Sequence, residues 1–145
     1  MQLSAIDGLI AKIEHKLEKS LSRFESTLSR LPGLKGAVDE YTDRELGTYD
    51  EMMSRFARLT DIFLSQYLRA LIKKSDPAFQ GSLRDSLDLA EKYGFIDSAE
   101  EWYHIRELRN RQAHEYEEDD LIGLFKDILD QVPRIKSVIS ARTGK

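Results

Sequence analysis

Residues 3–31 read LSAIDGLIAKIEHKLEKSLSRFESTLSRL, and this stretch decides the fold class. Large apolar side chains recur every seven residues, at positions 3, 10, 17, 24 and 31, and further Ile and Leu residues lie between them. On an α-helix of 3.6 residues per turn these positions share one face, while charged residues cover the rest. The pattern therefore predicts a long amphipathic helix, ended by Pro32–Gly33, whose apolar face packs inside a bundle.

The same helical period continues along the chain. Thr42 and Glu45 have the spacing of a capping box, which predicts the start of a second long helix that ends before Pro77. A shorter third helix is expected to end at Gly94, because glycine readily adopts the left-handed conformation found at helix ends. Ser98 is a suitable N-terminal cap for a fourth helix.

A fifth helix is expected after the acidic run at residues 117–120, where negative charge stabilises a helix start. No segment has the alternating pattern of a strand. The sequence therefore predicts an all-α fold, an antiparallel up-and-down bundle of four to five helices. We expect residues 1–145 to form a single domain of this kind.

Composition bounds the class of protein. Of the 145 residues, 41% are hydrophobic and 33% are charged, which is typical of a globular chain rather than a disordered one. The chain has no cysteine, which excludes disulfides, a thiol nucleophile and a cysteine-ligated metal site. No apolar run reaches the roughly 20 residues of a membrane span, and the N-terminus does not resemble a signal peptide. A cytoplasmic protein with no membrane partner is the expectation.

The net charge is −4. Phosphate binding depends on clustered Lys and Arg, so this balance argues against a general nucleic-acid coat. It is compatible with an acidic protein that has one local basic cleft.

One position in the fourth helix breaks the apolar pattern. Trp102, Ile105 and Leu108 define its apolar arc, and Arg109, seven residues after Trp102, points into the middle of that arc. A guanidinium there needs a partner or a wet cleft. One interpretation is structural, an arginine paired with a carboxylate of the bundle or one whose charged end reaches solvent at an interface, and the other is a functional arginine. His114 diverges from Arg109 by about 140° on an ideal helix.

Residues 109–116 read RNRQAHEY and resemble the Arg-x4-His motif of the HEPN superfamily, in its Arg-x4-His-x-Tyr form. The motif residues are Arg109, His114 and Tyr116, and asparagine at position 110 is also typical of the family. This form is similar to that of the HepT-like toxins and of their relatives described as nucleotidyltransferase substrate-binding proteins.

The likeness extends upstream of the motif. Arg55–Phe56 resembles an Arg-Phe element of the substrate-binding branch, and residues 83–102 are similar to the same branch. The resemblance covers roughly residues 45–120, whereas the first and fifth helices match only in their general pattern.

The resemblance implies a metal-independent endoribonuclease that works as a homodimer on an RNA substrate, with no cofactor. Arg109 would bind the phosphate and His114 would act as general acid or base, because imidazole titrates near neutrality. Asn110 would be a supporting polar group. Arg106 and Arg111 are possible RNA contacts, although on so charged a chain they are also expected as solvated side chains.

Tyr116 has a different implied role. In such toxin–antitoxin pairs a minimal nucleotidyltransferase is the antitoxin and adds AMP to the tyrosine of this motif. The added negative charge would repel RNA phosphate. Without the resemblance, Tyr116 would be interpreted as a half-buried ring that closes the end of the bundle.

Two alternatives remain beside the toxin hypothesis. The chain is either a noncatalytic substrate-binding subunit of a nucleotidyltransferase, or a helical dimerisation module whose motif has lost its activity. The complete motif disfavours the dimerisation module, and Arg55–Phe56 leans towards the branch named for substrate binding.

Overall fold

The computed structural model describes residues 2–113 and 118–144, and all regular structure in this part of the chain is helical. The predicted all-α bundle is confirmed. In chain order the elements are α1 (Gln2–Leu28), a 3₁₀ turn (Val38–Glu40), α2 (Asp43–Asp61), a π-helical segment (Ile62–Tyr67), α3 (Leu68–Ser75), α4 (Leu83–Lys92), α5 (Ala99–Ala113) and α6 (Glu118–Thr143).

The seven-residue apolar series of α1 forms the centre of the core. Ile10, Leu17 and Phe24 are buried, and Leu31, just beyond the helix, packs against the core from its edge. This face of α1 contacts α2, the π-helical segment, α3 and α6. Because α1 is long, it contacts neighbouring helices along most of the bundle. The apolar face that predicted the fold class therefore also organises the packing.

The second predicted helix begins where its capping box indicated. The Thr42 side-chain oxygen accepts a hydrogen bond from the Glu45 amide at 3.1 Å, and Glu45 Oε1 accepts one from the Thr42 amide at 2.9 Å. Helical structure then continues to Ser75, as expected from the Asp76–Pro77 breaker. The path is not a single α-helix, however, because the π-helical segment joins α2 to α3.

The π-helical segment keeps a row of buried residues on one face. Phe56, Thr60, Leu64, Leu68 and Ile72 are all buried and follow one another at intervals of four. On an ideal α-helix each such interval rotates the side chain by about 40° away from its predecessor. A π-helix has i→i+5 hydrogen bonds and therefore more residues per turn, which offsets part of this drift. A four-residue spacing is also compatible with an α-helix, so the pattern alone did not predict the π-helical segment.

Aromatic contacts join α2 to α6. The rings of Tyr49 on α2 and Phe125 on α6 stack with centroids 4.3 Å apart. The Tyr49 hydroxyl donates a hydrogen bond to the Pro32 carbonyl at 2.7 Å, which ties the segment after α1 to α2. Burial of this hydroxyl, with smaller contributions from Tyr41 and Glu45, raises the pKa of Tyr49 to about 12.

Gly94 ends α4 as the sequence predicted. Its φ of 79° lies in the left-handed region, which costs a side-chain-bearing residue roughly 1–2 kcal/mol. The turn lets the Phe95 amide donate to the Ala90 carbonyl at 2.8 Å and leads the chain into α5. None of the helices in the described part of the chain has the length and apolarity that a membrane span requires.

The same substitution is expected to have opposite effects at two glycines. Gly94→Ala should lower the free energy of unfolding by about 1 kcal/mol, because alanine resists the positive φ. Gly47→Ala should raise it by about 0.5–1 kcal/mol, because Gly47 lies inside α2 with open space around its Cα. Urea unfolding of both variants beside the wild type measures the two differences. Equal signs at the two positions would contradict the helix-end assignment of Gly94.

Candidate functional site around Arg109

The start of α5 is anchored by Asp97. Its Oδ1 accepts a hydrogen bond from Trp102 Nε1 at 2.9 Å, and its Oδ2 accepts one from Arg134 Nε on α6 at 2.8 Å. Ser98 Oγ accepts a hydrogen bond from the Glu101 amide at 3.2 Å, as its predicted capping role requires. One carboxylate therefore joins the preceding loop, α5 and α6.

The apolar face of α5 is buried as its pattern predicted. Trp102, Ile105 and Leu108 have relative exposures of 1%, 0% and 0%, and the Trp102 ring lies 4.7 Å from that of Phe63. Arg109 directly follows this buried arc. Because the helix is held from its start and packed along this face, the direction of the Arg109 side chain is set by the bundle.

Arg109 forms a bidentate pair with Asp61, the last residue of α2. Arg109 Nε donates to Asp61 Oδ1 and Nη2 donates to Oδ2, each at 2.8 Å. The side chains retain relative exposures of 24% and 45%, so the pair lies at the edge of the bundle rather than in its core. The structure thus contains the pairing with a bundle carboxylate that the sequence offered as one partner for this arginine, and a role of the paired arginine in function stays a prediction.

Pairing favours the charged form of the guanidinium. The hydrogen bonding of Arg109 to Asp61 is the largest cause that raises the pKa of Arg109, partial burial opposes it, and the attraction between the two charges adds to it. Arg109 is therefore a cation at every accessible pH, as a phosphate-binding residue must be. Asp61 offsets its net charge, but the guanidinium keeps N–H groups for another acceptor.

The other polar residues near the end of α5 also have partners. Arg106 Nη1 donates to Asn110 Oδ1 one turn further along the helix. Arg111 Nη1 lies 3.3 Å from Asp127 Oδ2 on α6, and both side chains are more than 40% exposed. The predicted RNA contacts Arg106 and Arg111, and the predicted supporting residue Asn110, thus lie on the outside of α5 within two turns of the helix.

His114 and Tyr116 lie outside the described residues. The part of the motif that the structure describes is Arg109 and Asn110, near the C-terminal end of α5. The approach of His114 to Arg109 and the surroundings of Tyr116 stay predictions from the sequence.

Arg55–Phe56 has a role in the fold. Arg55 Nη1 donates to the Arg23 carbonyl and to Thr27 Oγ1, both at 2.8 Å, and its Nη2 pairs with Glu51 at 2.9 Å. Phe56 is fully buried. The element that carried part of the family resemblance therefore attaches α2 to α1 through contacts within the bundle.

Asp61 was not identified from the sequence, although a signal was present. It is the only acidic residue between Glu51 and Asp76, in a stretch otherwise made of apolar, polar and basic residues. A lone carboxylate in a helix that packs against α5 is a candidate partner for the lone arginine on the apolar arc of α5. Sequence spacing does not show which turns of α2 and α5 are level with each other, so the pair is visible only in the structure.

A cavity of about 530 Å³ lies beside α5, and its lining is more acidic than the surroundings of Arg109. It is lined by Arg84, Glu100, Glu101, Tyr103, His104 and Glu107. The Arg84 guanidinium lies over the Tyr103 ring at 4.7 Å. Three glutamates disfavour an RNA phosphate here, so this cavity is not the site expected for one. Within residues 2–113 and 118–144, no group of three or more His, Cys, Asp or Glu side chains is placed to hold a metal ion.

Comparisons of the chain with protein-family models, with curated proteins and with solved structures find no match.

Stability should depend on the charge of Asp97. Burial raises the pKa of this carboxyl, but the hydrogen bonds from Arg134 and Trp102 outweigh it, so the pKa lies below its ordinary value of 3.8. A lowered folded-state pKa contributes stability above pH 3.8 and loses it as pH falls through the folded value. At pH 7 we expect Asp97→Asn to lower the free energy of unfolding by about 1 kcal/mol, since the site is partly exposed. At pH 3 this difference should shrink.

Trp102 is the only tryptophan, so its fluorescence follows urea unfolding next to the substituted residue. Asp130→Asn is the control, because Asp130 pairs with Lys126 on the exposed side of α6 and should matter little at either pH. An effect of Asp97→Asn that is as large at pH 3 as at pH 7 would contradict a role for the carboxylate charge.

Proposed function

We propose that this chain is a HEPN-type toxin, a metal-independent endoribonuclease that a cognate minimal nucleotidyltransferase neutralises. The observation that carries the proposal is the guanidinium of Arg109, held by two 2.8 Å hydrogen bonds at the partly exposed edge of the bundle. It is the first residue of the Arg-x4-His-x-Tyr sequence. A fixed, charged and accessible guanidinium is the group that phosphoryl chemistry requires at this position of the motif.

The proposed reaction uses the substrate's own nucleophile. His114 accepts the proton of an RNA 2′-hydroxyl, and the oxygen attacks the adjacent phosphorus. The bond to the 5′-oxygen breaks, and that oxygen takes a proton from water and leaves as a 5′-hydroxyl. The phosphorus is left as a 2′,3′-cyclic phosphate, and His114 returns its proton to solvent. Arg109 donates hydrogen bonds to the phosphate oxygens, where negative charge grows in the transition state. These roles need a base that titrates near neutrality and a permanent cation, which histidine and arginine provide.

A homodimer is part of the proposal. Arg109 and His114 point about 140° apart on an ideal helix, so a straight α5 would not bring both side chains of one copy to the same phosphate. Two copies that place their motifs face to face would supply an arginine and a histidine to a shared cleft. The partly exposed position of Arg109 at the edge of the bundle is compatible with such a cleft.

Tyr116 is the proposed point of control. It follows His114 by two residues, so an AMP group on its hydroxyl would introduce negative charge and bulk beside the cleft. RNA phosphate would then be repelled. The antitoxin is proposed to act through this modification.

A second candidate function is a noncatalytic substrate-binding subunit of a nucleotidyltransferase. It is favoured by the ion pair itself, because Asp61 offsets the charge of Arg109. Arg106 and Arg111 likewise have partners, and the whole chain carries a charge of −4. In this case the subunit binds its nucleotidyltransferase stably but cleaves no RNA.

Cleavage of mixed-sequence single-stranded RNA by the purified, unmodified chain, with a metal chelator present, tests the proposal. We expect the wild type to cut the RNA and His114→Ala to lose at least about 100-fold in rate, since general acid–base catalysis contributes on the order of 10²–10⁴-fold. His15→Ala, which removes an exposed histidine of α1, should retain wild-type activity. Absence of cleavage by wild type with unmodified Tyr116 would favour the noncatalytic subunit.

Modification of Tyr116 is tested with the proposed cognate minimal nucleotidyltransferase. With ATP present, we expect mass spectrometry to find AMP on wild type and none on Tyr116→Phe. Tyr103→Phe, which changes an exposed tyrosine of α5, should be modified like wild type. The modified wild type should no longer cleave RNA. AMP on Tyr116→Phe would place the modification on another residue.

A further inference from the structure

Asp61 is not part of the Arg-x4-His-x-Tyr motif, but it lies at an unusual point of the fold. It ends α2 immediately before the π-helical segment, and its neighbours Thr60 and Ile62 are 2% and 5% exposed. The backbone on both sides is therefore fixed by packing, while the Asp61 side chain stays 45% exposed. π-Helical turns are rare and often lie at functional sites. A carboxylate on such a rigid support can hold a partner in one orientation.

Within residues 2–113 and 118–144 the guanidinium pairs with Asp61, and one edge of it is unused by these residues. A guanidinium carries five N–H donors, and Asp61 takes the edge formed by Nε and one N–H of Nη2. The remaining edge, formed by Nη1 and the second N–H of Nη2, has the same spacing and can donate two parallel hydrogen bonds to phosphate oxygens. The carboxylate therefore occupies one edge and presents the other.

We propose that Asp61 is a positioning residue for RNA cleavage, which holds Arg109 by one edge so that the opposite edge meets the scissile phosphate. This inference rests on the proposed ribonuclease function and adds to it a residue from a different helix. Asp61 does not touch the substrate. It acts through Arg109 by restricting a flexible side chain to one orientation before the phosphate arrives.

The same carboxylate has an opposing electrostatic effect. Its negative charge lies next to the guanidinium and weakens the attraction of Arg109 for a substrate phosphate. Loss of the Asp61 charge therefore leaves Arg109 less well oriented, which matters most in the transition state. It also removes the repulsion between Asp61 and the phosphate, which affects substrate binding. Positioning thus predicts a lower kcat with an unchanged or lower KM. A smaller folded fraction also lowers the apparent kcat at unchanged KM, so the folded fraction of each variant is measured beside the kinetics.

The alternative role for Asp61 is inhibition, in which the carboxylate occupies the place of the phosphate and must leave before RNA binds. Inhibition requires that carboxylate and phosphate compete for the same edge of the guanidinium. It predicts faster cleavage and tighter binding when Asp61 is neutralised. The unused edge, together with the 24% exposure of the Arg109 side chain, favours positioning.

The first experiment compares kcat and KM of wild type and Asp61→Asn on a short single-stranded RNA with a chelator present. Asparagine keeps the shape of aspartate, but its amide oxygen accepts from only one guanidinium nitrogen while its NH₂ faces the other. We expect kcat to fall on the order of 10- to 100-fold, as a small misplacement of a catalytic group does, and KM to stay equal or fall. Asp61→Glu, which keeps the charge, should recover part of the lost kcat.

Glu51→Gln is the matched control. Glu51 also lies on α2 and also pairs with arginines, Arg30 and Arg55, but it has no contact with Arg109. We expect its kcat and KM to equal those of wild type. Thermal unfolding of every variant verifies that each is folded at the assay temperature.

A second measurement does not need cleavage. Binding of a 2′-O-methyl RNA, which lacks the nucleophile, is compared for Asp61→Asn in the wild-type and Arg109→Ala backgrounds. If Asp61 acts through Arg109, Asp61→Asn changes affinity in the wild-type background and has no effect in the Arg109→Ala background. Equal changes in both backgrounds would overturn the role of Asp61 as a positioning residue.

The remaining outcomes separate this inference from the proposed function. If wild type cleaves RNA and Asp61→Asn cleaves it as fast or faster, the ribonuclease stands and the positioning role is overturned. If Glu51→Gln loses as much kcat as Asp61→Asn, the loss is a general effect of removing an ion pair and the role is likewise overturned. If wild type does not cleave RNA, the ribonuclease proposal fails and the positioning role fails with it.

Discussion

Burial of the apolar face of α1 is the constraint on which the other helices depend. Ile10, Leu17 and Phe24 are buried, and α1 contacts α2, the π-helical segment, α3 and α6. Each enclosing helix must keep its own apolar residues directed at this face along its whole length. Between residues 56 and 72 a row of buried residues recurs every four positions. On an ideal α-helix each of them would point about 40° away from the one before, and the π-helical segment offsets part of that rotation.

The position of Asp61 follows from the same requirement. The π-helical segment keeps the residues after Asp61 in the core, so Asp61 itself stays at the edge of the bundle, level with Arg109 of α5. A guanidinium next to a buried apolar arc needs a partner, and the carboxylate at this junction supplies one. The fold thus produces a fixed, partly exposed cation whose charge is not buried in the core. This is the feature that the proposed chemistry uses.

Much of the site was predictable in kind but not in detail. Arg109 stood out because it interrupts the arc of Trp102, Ile105 and Leu108, and a carboxylate partner was one of two interpretations of that interruption. The partner was not identifiable, because the pairing depends on how far α2 and α5 are shifted along each other. Arg55–Phe56 was singled out by family resemblance, and its contacts with α1 give it a role in the fold. His114 and Tyr116 remain predictions from the motif.

The sequence by itself determined the helical class, the capping box at Thr42 and the helix end at Gly94. These depend on interactions within a few residues of chain, which local spacing and residue type specify. Only the tertiary structure decided the π-helical segment and the pairing of Arg109 with Asp61, because both depend on the packing of helices distant in sequence. The two residues of the pair are separated by 48 positions. No local pattern specifies which edge of a guanidinium such a partner takes, since packing alone sets the distance and angle between the two helices.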